Sequence, residues 1–472
     1  MSNVRRLPVV HDDGSMGEGS LGRDGRRRRP YPADVSGRFA RARRIGFAVL
    51  IAIWAALPWI PVRGHPAVFL DIEKRQFFLF GLTFNAQDAW LLFFALSGVG
   101  FGLVYATAFL GRVWCGWSCP QTVFLEAVFR PIERLIEGPR ATALRRAQHG
   151  MTFDRIWRAA AKHAIFLLAA FFVAHIILSY FVSLPRVFAM VRHSPALHPE
   201  AFAWAAVVTA LTYGNFAFFR EQLCVVICPY GRLQSVLLDD DSLVVGYDEK
   251  RGEPRGKASS KDNGDCVDCR RCVVVCPTGI DIRQGLQLDC IACTQCIDAC
   301  DEVMDKLDRP RGLVRYDSLR GLRGEPRRIL RARVVAYTVL LVIGAVVAFF
   351  AFRSREPFEA NLVRLPGTPY TRQEGTIRNT FELHLVNKES TPVTFDIEPN
   401  TSGALTYLVP TRTMEIEPLG SRRVPVFVTM DEAAFHADTP FTIRVRAHGG
   451  HTAPAERETR ATFLGARGKV SP

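Results

Sequence analysis

The sequence predicts a multi-domain membrane protein, in which a helical transmembrane bundle carries a small α+β insert and a C-terminal all-β sandwich. About five apolar stretches predict the bundle, and two cysteine runs of identical spacing predict the insert. Alternation of apolar and polar residues with a period of two predicts the sandwich. At 472 residues the chain is long enough for several such domains.

Five apolar stretches predict transmembrane helices, because each is close to the ~20 residues that a bilayer core requires. They cover residues 45–62, 87–110, 163–184, 201–219 and 333–352. An odd number of spans places the two ends of the chain on opposite sides of the membrane. A long polar leader precedes the first span, and no convincing small-residue cleavage site follows it. These features favour a retained anchor over a cleaved signal peptide.

The net charge of +14 is explained by membrane topology rather than by nucleic-acid binding. Arginines cluster before the first span, before the fifth span, and in the loop between the second and third spans. They are Arg26–Arg29, Arg41, Arg43, Arg44, Arg140, Arg145, Arg146, Arg155, Arg158, Arg323, Arg327, Arg328, Arg331 and Arg333. All three groups fall on one side of a five-span topology, so that side is predicted to be the cytoplasm.

The spans divide the chain into five predicted segments. In order, these are a disordered basic cytoplasmic tail, four transmembrane helices, a cytoplasmic segment with a cluster-binding domain (264–304), a fifth transmembrane helix and a periplasmic domain. They cover residues 1–36, 37–232, 233–332, 333–353 and 354–472. The tail is rich in Gly, Arg and Asp and poor in apolar residues, which is typical of a disordered segment.

The C-terminal segment alternates apolar and polar residues in three clear runs, Phe381 to Leu385, Val424 to Val428 and Phe441 to Val445. Turn residues such as Asn387-Lys388 and Gly449-Gly450 separate the runs. At about 115 residues the segment has the size of one immunoglobulin-like sandwich, without the cysteine pair of antibody domains. Its role stays open between a docking module and a stabilising appendage.

All twelve cysteines fall into four clusters, and eight of them form two C-x2-C-x2-C-x3-C runs. In two-cluster ferredoxins the fourth cysteine of such a run binds the other cluster. The spacing therefore predicts one [4Fe-4S] cluster on Cys266, Cys269, Cys272 and Cys300, and a second on Cys290, Cys293, Cys296 and Cys276. Structural zinc is disfavoured, because zinc seldom takes eight cysteines at this spacing. Asp301 stands where the pattern expects a proline.

The other four cysteines form two C-x3-C-P pairs, Cys115/Cys119 and Cys224/Cys228, which follow the second and fourth spans. If the backbone stays helical, each pair lies on one helical face, and Pro120 and Pro229 end or kink the helices. Because both pairs lie on the same side, all four thiols can meet in one metal or redox site, and thiolates favour soft ions such as Cu(I). The alternative is four small side chains in a packing seam.

Histidines give a weaker signal than the cysteines. Only His175 lies well inside a predicted span, with His163 at an end, so a haem with two axial histidines is disfavoured. On the outer side, His65, His193, His198 and Met190 are possible weak copper ligands, although scattered loop histidines are usually just solvated.

The motifs around the cysteines resemble those of the cytochrome c oxidase accessory proteins called CcoG, FixG or RdxA. The matching stretches are Cys115-Gly116-Trp117, Cys119 to Thr122, Ile132 to Arg134, Ile136 to Gly138, Arg220 to Gln222, Cys228 to Tyr230, Tyr247 to Gly256, Cys276 to Arg283 and Met304 to Lys306. The resemblance covers nearly everything after the predicted tail, including the C-terminal sandwich.

This resemblance implies a multi-pass protein of the bacterial inner membrane that supports assembly of cbb3-type cytochrome c oxidase by reducing Cu(II) to Cu(I). Electrons would enter the clusters from an unidentified donor and reach copper at Cys115, Cys119, Cys224 and Cys228. Oxidase assembly factors or copper chaperones are the implied partners. Two alternatives stay open: a quinol-oxidising membrane ferredoxin resembling NapH and NosR, and a non-catalytic redox-sensing scaffold.

Overall fold

The computed structural model describes residues 29–465, apart from residues 63, 86, 87, 149, 151, 259–261, 355, 374, 390, 401, 402 and 451–453. The chain forms two compact units. The first takes in residues up to Leu70 together with Phe93–Val346, and the second takes in Asp71–Leu92 and the residues from Val347 onward. The predicted disordered tail lies outside the described residues as far as residue 28.

Residues 29–36, the end of that predicted tail, pack against the rest of the first unit. The backbone N–H of Ala33 donates to the carbonyl of Val274 at 2.9 Å, and the Arg140 side chain donates to the carbonyl of Tyr31 at 2.6 Å. Side chains take part as well, because Asp34 forms an ion pair with Arg134.

The described residues contain fifteen α-helices. In chain order they are α1 (Arg38–Ala56), α2 (Ala89–Leu110), α3 (Val113–Trp117), α4 (Pro120–Phe124), α5 (Arg130–Glu137), α6 (Arg140–Gln148), α7 (Phe153–Ser179), α8 (Leu184–Arg192), α9 (Pro199–Gly214), α10 (Pro229–Leu237), α11 (Glu249–Gly252), α12 (Arg271–Val274), α13 (Gln295–Lys306), α14 (Leu319–Leu322) and α15 (Ala332–Arg353).

The same residues contain sixteen β-strands. They are β1 (Pro61–Val62), β2 (His65–Pro66), β3 (Val68–Asp71), β4 (Gln76–Leu79), β5 (Leu82–Asn85), β6 (Val244–Tyr247), β7 (Val314–Asp317), β8 (Phe358–Arg364), β9 (Thr371–Gln373), β10 (Thr376–Asn387), β11 (Val393–Pro399), β12 (Thr406–Leu408), β13 (Thr413–Ile416), β14 (Ser421–Asp431), β15 (Thr439–His448) and β16 (Ala455–Phe463).

Five helical stretches of the described chain are long and apolar enough to cross a membrane, which confirms the predicted number of spans. They are Arg38–Trp59, Trp90–Leu110, Phe153–Ser179, Pro199–Phe219 and Ala332–Arg353. The third begins well before its predicted start at residue 163. Basic side chains in its first turns lower the hydropathy there, so a search for apolar stretches misses this part of the helix. The Thr152 hydroxyl caps the helix by accepting from the Arg155 N–H at 3.4 Å.

The cysteine-rich insert is closed by an antiparallel pair of strands, β6 and β7, in which Val244 faces Asp317 and Tyr247 faces Val314. The strands bracket the eight cysteines, so both ends of that segment are held together. A small core that includes Val245, Ile297 and Met304 packs around the thiols. The predicted α+β insert is therefore present as one packed domain.

The second unit contains a two-sheet sandwich, which confirms the all-β prediction. One sheet has the order β12-β14-β10-β8, with β9 also paired to β10, and the other has the order β13-β11-β15-β16. Residues of the predicted alternating runs point inward: Leu383, Leu385, Val426, Ile443 and Val445 are all fully buried. Period-2 burial of apolar side chains from both sheets thus builds the core.

Asn387 is a buried polar residue of this sandwich, and replacing it by alanine is expected to destabilise the domain. Its Nδ2 donates to the carbonyls of Thr391, Ile416 and Glu417 at 2.8, 3.1 and 3.1 Å, and its Oδ1 accepts from the Glu389 N–H at 2.9 Å. Loss of these partners should cost about 1–3 kcal/mol in the free energy of unfolding.

Denaturant unfolding of the purified protein in detergent tests this expectation. The matched control is Asn361→Ala on strand β8, where the side chain is exposed and the expected change is within about 0.5 kcal/mol. If both alanine variants lowered the free energy of unfolding by the same amount, the hydrogen bonds of Asn387 would contribute no more to stability than an exposed side chain does.

Candidate functional site

The two C-x3-C-P pairs do not lie on continuous helices. Cys115 lies within α3 and Cys119 immediately precedes α4, which begins at Pro120. Cys224 lies in a π-helical segment, Leu223–Ile227, and Cys228 precedes α10. The prediction that the prolines end or kink a helix is wrong. Each proline is the first residue of a new helix, where its fixed φ is favourable and its missing N–H is not needed.

Hydrogen bonds hold the two pairs near one another. Gln121, two residues after Cys119, donates from Nε2 to the carbonyl of Arg220 at 2.9 Å and exchanges side-chain hydrogen bonds with Asn215. Arg220 has a left-handed backbone, with φ of 54°, and its Nη1 contacts both Glu133 carboxylate oxygens at 3.0 and 3.1 Å. This anchored turn leads the chain into Cys224. It gives a structural role to Gln121, Glu133 and Arg220, which in the sequence are only members of the matching motifs.

We call Cys115, Cys119, Cys224 and Cys228 the cysteine quartet, because the other three thiols lie near enough to Cys224 to raise its pKa. Burial raises the pKa of Cys115 to about 11, and the neighbouring Cys119 thiol adds to this effect. Burial raises the pKa of Cys224 to about 12, with further contributions from the other three thiols of the quartet. The quartet is therefore a set of mutually interacting thiols that a bound cation would stabilise in the ionised form.

Two further contacts hold individual thiols of the quartet. The Cys115 thiol donates to Oε1 of Gln234 at 3.3 Å, and Gln234 is fully buried. Burial raises the pKa of Cys119, while backbone N–H groups of Gln121 and Thr122 hydrogen-bond to its sulfur and lower the pKa. Among the described residues, no three His, Cys, Asp or Glu side chains converge closely enough to hold a single metal ion.

The eight cysteines of the insert line two small cavities of similar size. The first cavity has a volume of about 20 Å³ and is lined by Cys266, Cys269, Cys272 and Cys300. The second cavity also has a volume of about 20 Å³ and is lined by Cys276, Cys290, Cys293 and Cys296, with Cys272 also at its wall. Each cavity thus combines three cysteines of one run with the fourth of the other, which is the grouping that the crossover pattern requires.

The two ligand loops share an unusual backbone pattern. Asp268 and Arg270 in the first loop, and Ala292 and Thr294 in the second, all have positive φ values of 48°, 53°, 52° and 64°. The four residues occupy equivalent positions relative to their cysteines, so the loops are structural repeats. Left-handed conformation at non-glycine residues costs free energy and is typical of functional sites.

The chemistry of the two cavities fits [4Fe-4S] clusters. Burial raises the pKa of Cys290 to about 11 and the pKa values of Cys293 and Cys300 to about 12, so free thiolates are unfavourable there. Backbone N–H groups of Ala292, Gln295 and Val314 hydrogen-bond to these three sulfurs and oppose the effect of burial. Cluster iron would supply the positive charge that keeps the thiolates ionised.

Buried arginines join the second cavity to the cysteine quartet. Arg112 donates from Nη1 to the carbonyl of Cys290 and from Nη2 to the carbonyl of Gly231, both at 3.2 Å. Arg43 donates from Nε to the carbonyl of Gly116 at 3.0 Å. Both guanidinium groups favour ionised thiols at the second cavity, Arg112 acting on Cys290 and Arg43 on Cys293.

Gly116 packs directly on the ligand loop of the second cavity. A Cβ atom at this position would lie 2.6 and 2.7 Å from the carbonyl oxygens of Ile291 and Ala292, so only glycine allows this approach. Nearby, Nε1 of Trp117 donates to the Tyr316 hydroxyl at 3.1 Å, and that hydroxyl donates to the Ala292 carbonyl at 2.8 Å. The Cys115-Gly116-Trp117 motif therefore marks in the sequence where the chain packs on the second ligand loop. The spacing of the cysteines alone did not predict this contact.

Three histidines and Met190 line one cavity among the membrane-spanning helices. His175, His193, His198 and Met190 line a largely apolar cavity of about 560 Å³ among α7, α8 and α9, while His65 is not among the described residues that line it. Nδ1 of His175 lies 2.8 Å from the Phe171 carbonyl, and Nδ1 of His193 lies 2.7 Å from the Ala189 carbonyl. His65, His193, His198 and Met190, the possible weak copper ligands, therefore do not all line this cavity, and no three potential ligands among the described residues are close enough to hold a metal ion.

Comparison with known families assigns most parts of the chain. Residues 219–319 match the 4Fe-4S dicluster domain, and residues 91–139 match a 4Fe-4S binding domain. Residues 348–466 match the Ig-like fold at the C-terminus of FixG. The two iron–sulfur matches together include all twelve cysteines.

Individual relatives match over nearly the full length. Protein RdxA of Cereibacter sphaeroides is 34% identical over 459 residues, covering 93% of this chain and 97% of that protein. The nitrogen fixation protein FixG of Rhizobium meliloti is 33% identical over 479 residues, covering 90% and 91%. A crystal structure of a FixG-related protein from Vibrio parahaemolyticus aligns with 23% of this chain and 97% of its own, at 16% identity and a TM-score of 0.20.

Proposed function

The chain belongs to the family of RdxA, RdxB and FixG, and we propose that this iron–sulfur electron-transfer protein is a cupric reductase that converts Cu(II) to Cu(I) for copper-centre assembly of cbb3-type cytochrome c oxidase. The protein would lie in the bacterial inner membrane, with the cysteine-rich insert in the cytoplasm and the sandwich in the periplasm. The distribution of arginines supports this orientation. Oxidase assembly factors or copper chaperones would then exchange copper with it.

We further propose that the eight cysteines of the insert hold two [4Fe-4S] clusters. Cys266, Cys269, Cys272 and Cys300 would bind one, and Cys276, Cys290, Cys293 and Cys296 the other. Their grouping around two cavities of equal size supports this assignment. Each cluster would carry one electron at a time.

The observation that carries the reductase proposal is the contact between the quartet and the second ligand loop. Gly116 lies against the carbonyls of Ile291 and Ala292, and Arg112 bridges the carbonyls of Cys290 and Gly231. Copper held by the quartet would therefore lie next to the second cluster. Thiolates bind Cu(I) better than Cu(II), so the site favours the one-electron-reduced product.

Iron analysis and a copper assay on the purified protein test these assignments together. We expect about eight iron atoms per chain, and about half that content in both Cys272→Ala and Cys293→Ala. Both variants should lose most cupric reductase activity, because the relay needs both clusters. Cys276→Ala should perturb the same EPR signal as Cys293→Ala, because the crossover places these two residues on one cluster.

The matched control is Asp305→Ala, on the same helix as Cys296 but in an exposed ion pair with Arg311. It should keep its iron and its activity. An unchanged rate of copper reduction in both cluster-ligand variants would show that the relay is wrong.

A further inference from the structure

A further cavity, which we call the α1 cavity, lies between the first membrane span and the second ligand loop. Its volume is about 730 Å³, it is partly open to solvent, and it lies between α1, the Leu125–Phe129 segment and α13. Phe47, Ala48 and Ile51 of α1 form an apolar wall inside the span. The opposite end is polar and includes Arg43, Glu126 and Gln295. The cavity is therefore amphipathic along its length.

Its polar end carries two buried side chains, each with one polar atom that lacks a hydrogen-bond partner among the described residues. Arg43 is 4% exposed and Gln295 is 8% exposed, and the unpaired atoms are Nη2 of Arg43 and Oε1 of Gln295. The Gln295 amide nitrogen faces Oε2 of Glu126 at 3.3 Å. Because a carboxylate only accepts hydrogen bonds, this contact leaves the amide oxygen as the free acceptor.

A bound molecule that satisfies both groups must accept from Arg43 and donate to Gln295. The apolar wall lies within a membrane span, so the rest of the molecule should be lipid-soluble. Arg44, Arg134 and Arg271 also line the cavity and would attract an anion, but a phosphodiester group by itself has no proton to donate to Gln295. A hydroquinone fits, because each of its hydroxyl groups can both donate and accept.

We propose that the α1 cavity binds a lipid-soluble hydroquinone, with a ring hydroxyl between Arg43 and Gln295 and the apolar body along Phe47 and Ile51. The site adjoins the second ligand loop, because Gln295 lies between Cys293 and Cys296 and its N–H hydrogen-bonds to the Cys293 sulfur. Electrons released there have a short path to the second cluster.

The redox balance matches the two clusters. Oxidation of one hydroquinone to the quinone breaks two O–H bonds and releases two electrons and two protons. The two oxidised clusters accept one electron each, and the protons pass to water at the polar end of the cavity. This assignment names the electron donor of the proposed function and depends on that function only for the presence of the clusters.

The test uses the full-length protein in copper-free nanodiscs, with decylubiquinol and menadiol as alternative donors and an azido-quinone as photolabel. We expect saturable labelling of the α1 and α13 peptides and reduction of the clusters by at least one of the two donors, seen by EPR. Gln295→Leu should weaken quinol binding roughly tenfold, the upper range for one hydrogen bond. Ile51→Trp should fill the apolar wall and block labelling.

Matched controls make the result specific to this cavity. Ala205→Trp fills the separate cavity near His175 and should leave labelling and quinol-driven reduction unchanged. Dithionite should still reduce the clusters in Gln295→Leu and Ile51→Trp, which shows that both variants are folded. Labelling that survives both variants, or that is lost only in Ala205→Trp, would overturn the proposal.

The outcome also separates this proposal from the proposed function. If quinol reduces the clusters but copper added afterwards stays Cu(II), the cavity assignment stands and the reductase proposal fails. If the dithionite-reduced protein reduces copper while neither quinol binds nor reduces the clusters, the reductase proposal stands and the cavity assignment is wrong.

Discussion

Replacing the quartet cysteines Cys115, Cys119, Cys224 and Cys228 by serine is expected to abolish copper reduction while leaving the iron content unchanged. Serine hydroxyls are hard ligands and do not stabilise Cu(I), whereas the two cluster cavities contain none of these four residues. The rate should therefore fall by more than the ~10–100-fold that loss of an outer-shell partner of a metal causes. Stopped-flow reduction of Cu(II) by dithionite-reduced protein measures this rate.

The matched control is Ser118→Ala, which changes a neighbour of Cys119 without touching a thiol. It should retain both iron and activity. The two pairs should also act as a unit, because Gln121 and Arg220 connect them. Cys115→Ser with Cys119→Ser, or Cys224→Ser with Cys228→Ser, should each cause most of the full loss. A quadruple variant that reduces copper at the normal rate would place the copper site elsewhere.

The chemistry of the cluster ligands could be predicted from the sequence because their spacing is local. Three thiols within seven residues can bind three of the four iron atoms of one cluster whatever the rest of the fold does. The apolar spans and the alternating strands are equally local patterns, and both are present. The positive φ values of Ala292 and Thr294 left no such signal, because neither is a glycine.

The course of the chain through the C-x3-C-P pairs was predicted incorrectly because proline is ambiguous. Pro120 and Pro229 are compatible with the end of one helix or with the start of another, and the surrounding residues do not decide between them. The contact of Gly116 with Ile291 and the pairing of Arg112 with Cys290 are tertiary features. They join residues far apart in the chain, so no local spacing could reveal them.

The buried guanidinium of Arg130 joins the membrane bundle to the end of the first cysteine run. Its Nε lies 3.2 Å from Oε1 of Glu126, its Nη2 bonds to Glu221, and Nη2 also donates to the Pro277 carbonyl at 3.3 Å. Pro277 directly follows Cys276. Burial alone would raise the pKa of Glu126, but the surrounding arginines, Arg130 first among them, hold that pKa below its ordinary value. Arg130 thus makes the largest favourable contribution to keeping Glu126 ionised.

Replacing Arg130 by methionine is expected to cost about 3–5 kcal/mol, because it leaves Glu126 and Glu221 buried without their main cation. Thermal unfolding in detergent, followed together with iron content, measures the loss. The control on the same helix is Arg134→Met, whose ion pair with Asp34 is 38% and 61% exposed and should contribute less than about 1 kcal/mol.

The pH dependence distinguishes loss of charge pairing from loss of packing. In the wild-type protein the lowered pKa of Glu126 gives stability that is present above the ordinary glutamate pKa and is lost as the pH falls through the lowered value. Arg130→Met lacks that contribution, so its deficit relative to wild type should shrink below about pH 4. A deficit that stays constant with pH would mean that Arg130 acts by filling space. Iron loss at neutral pH would then reflect the lost contact with Pro277 rather than the unpaired carboxylates.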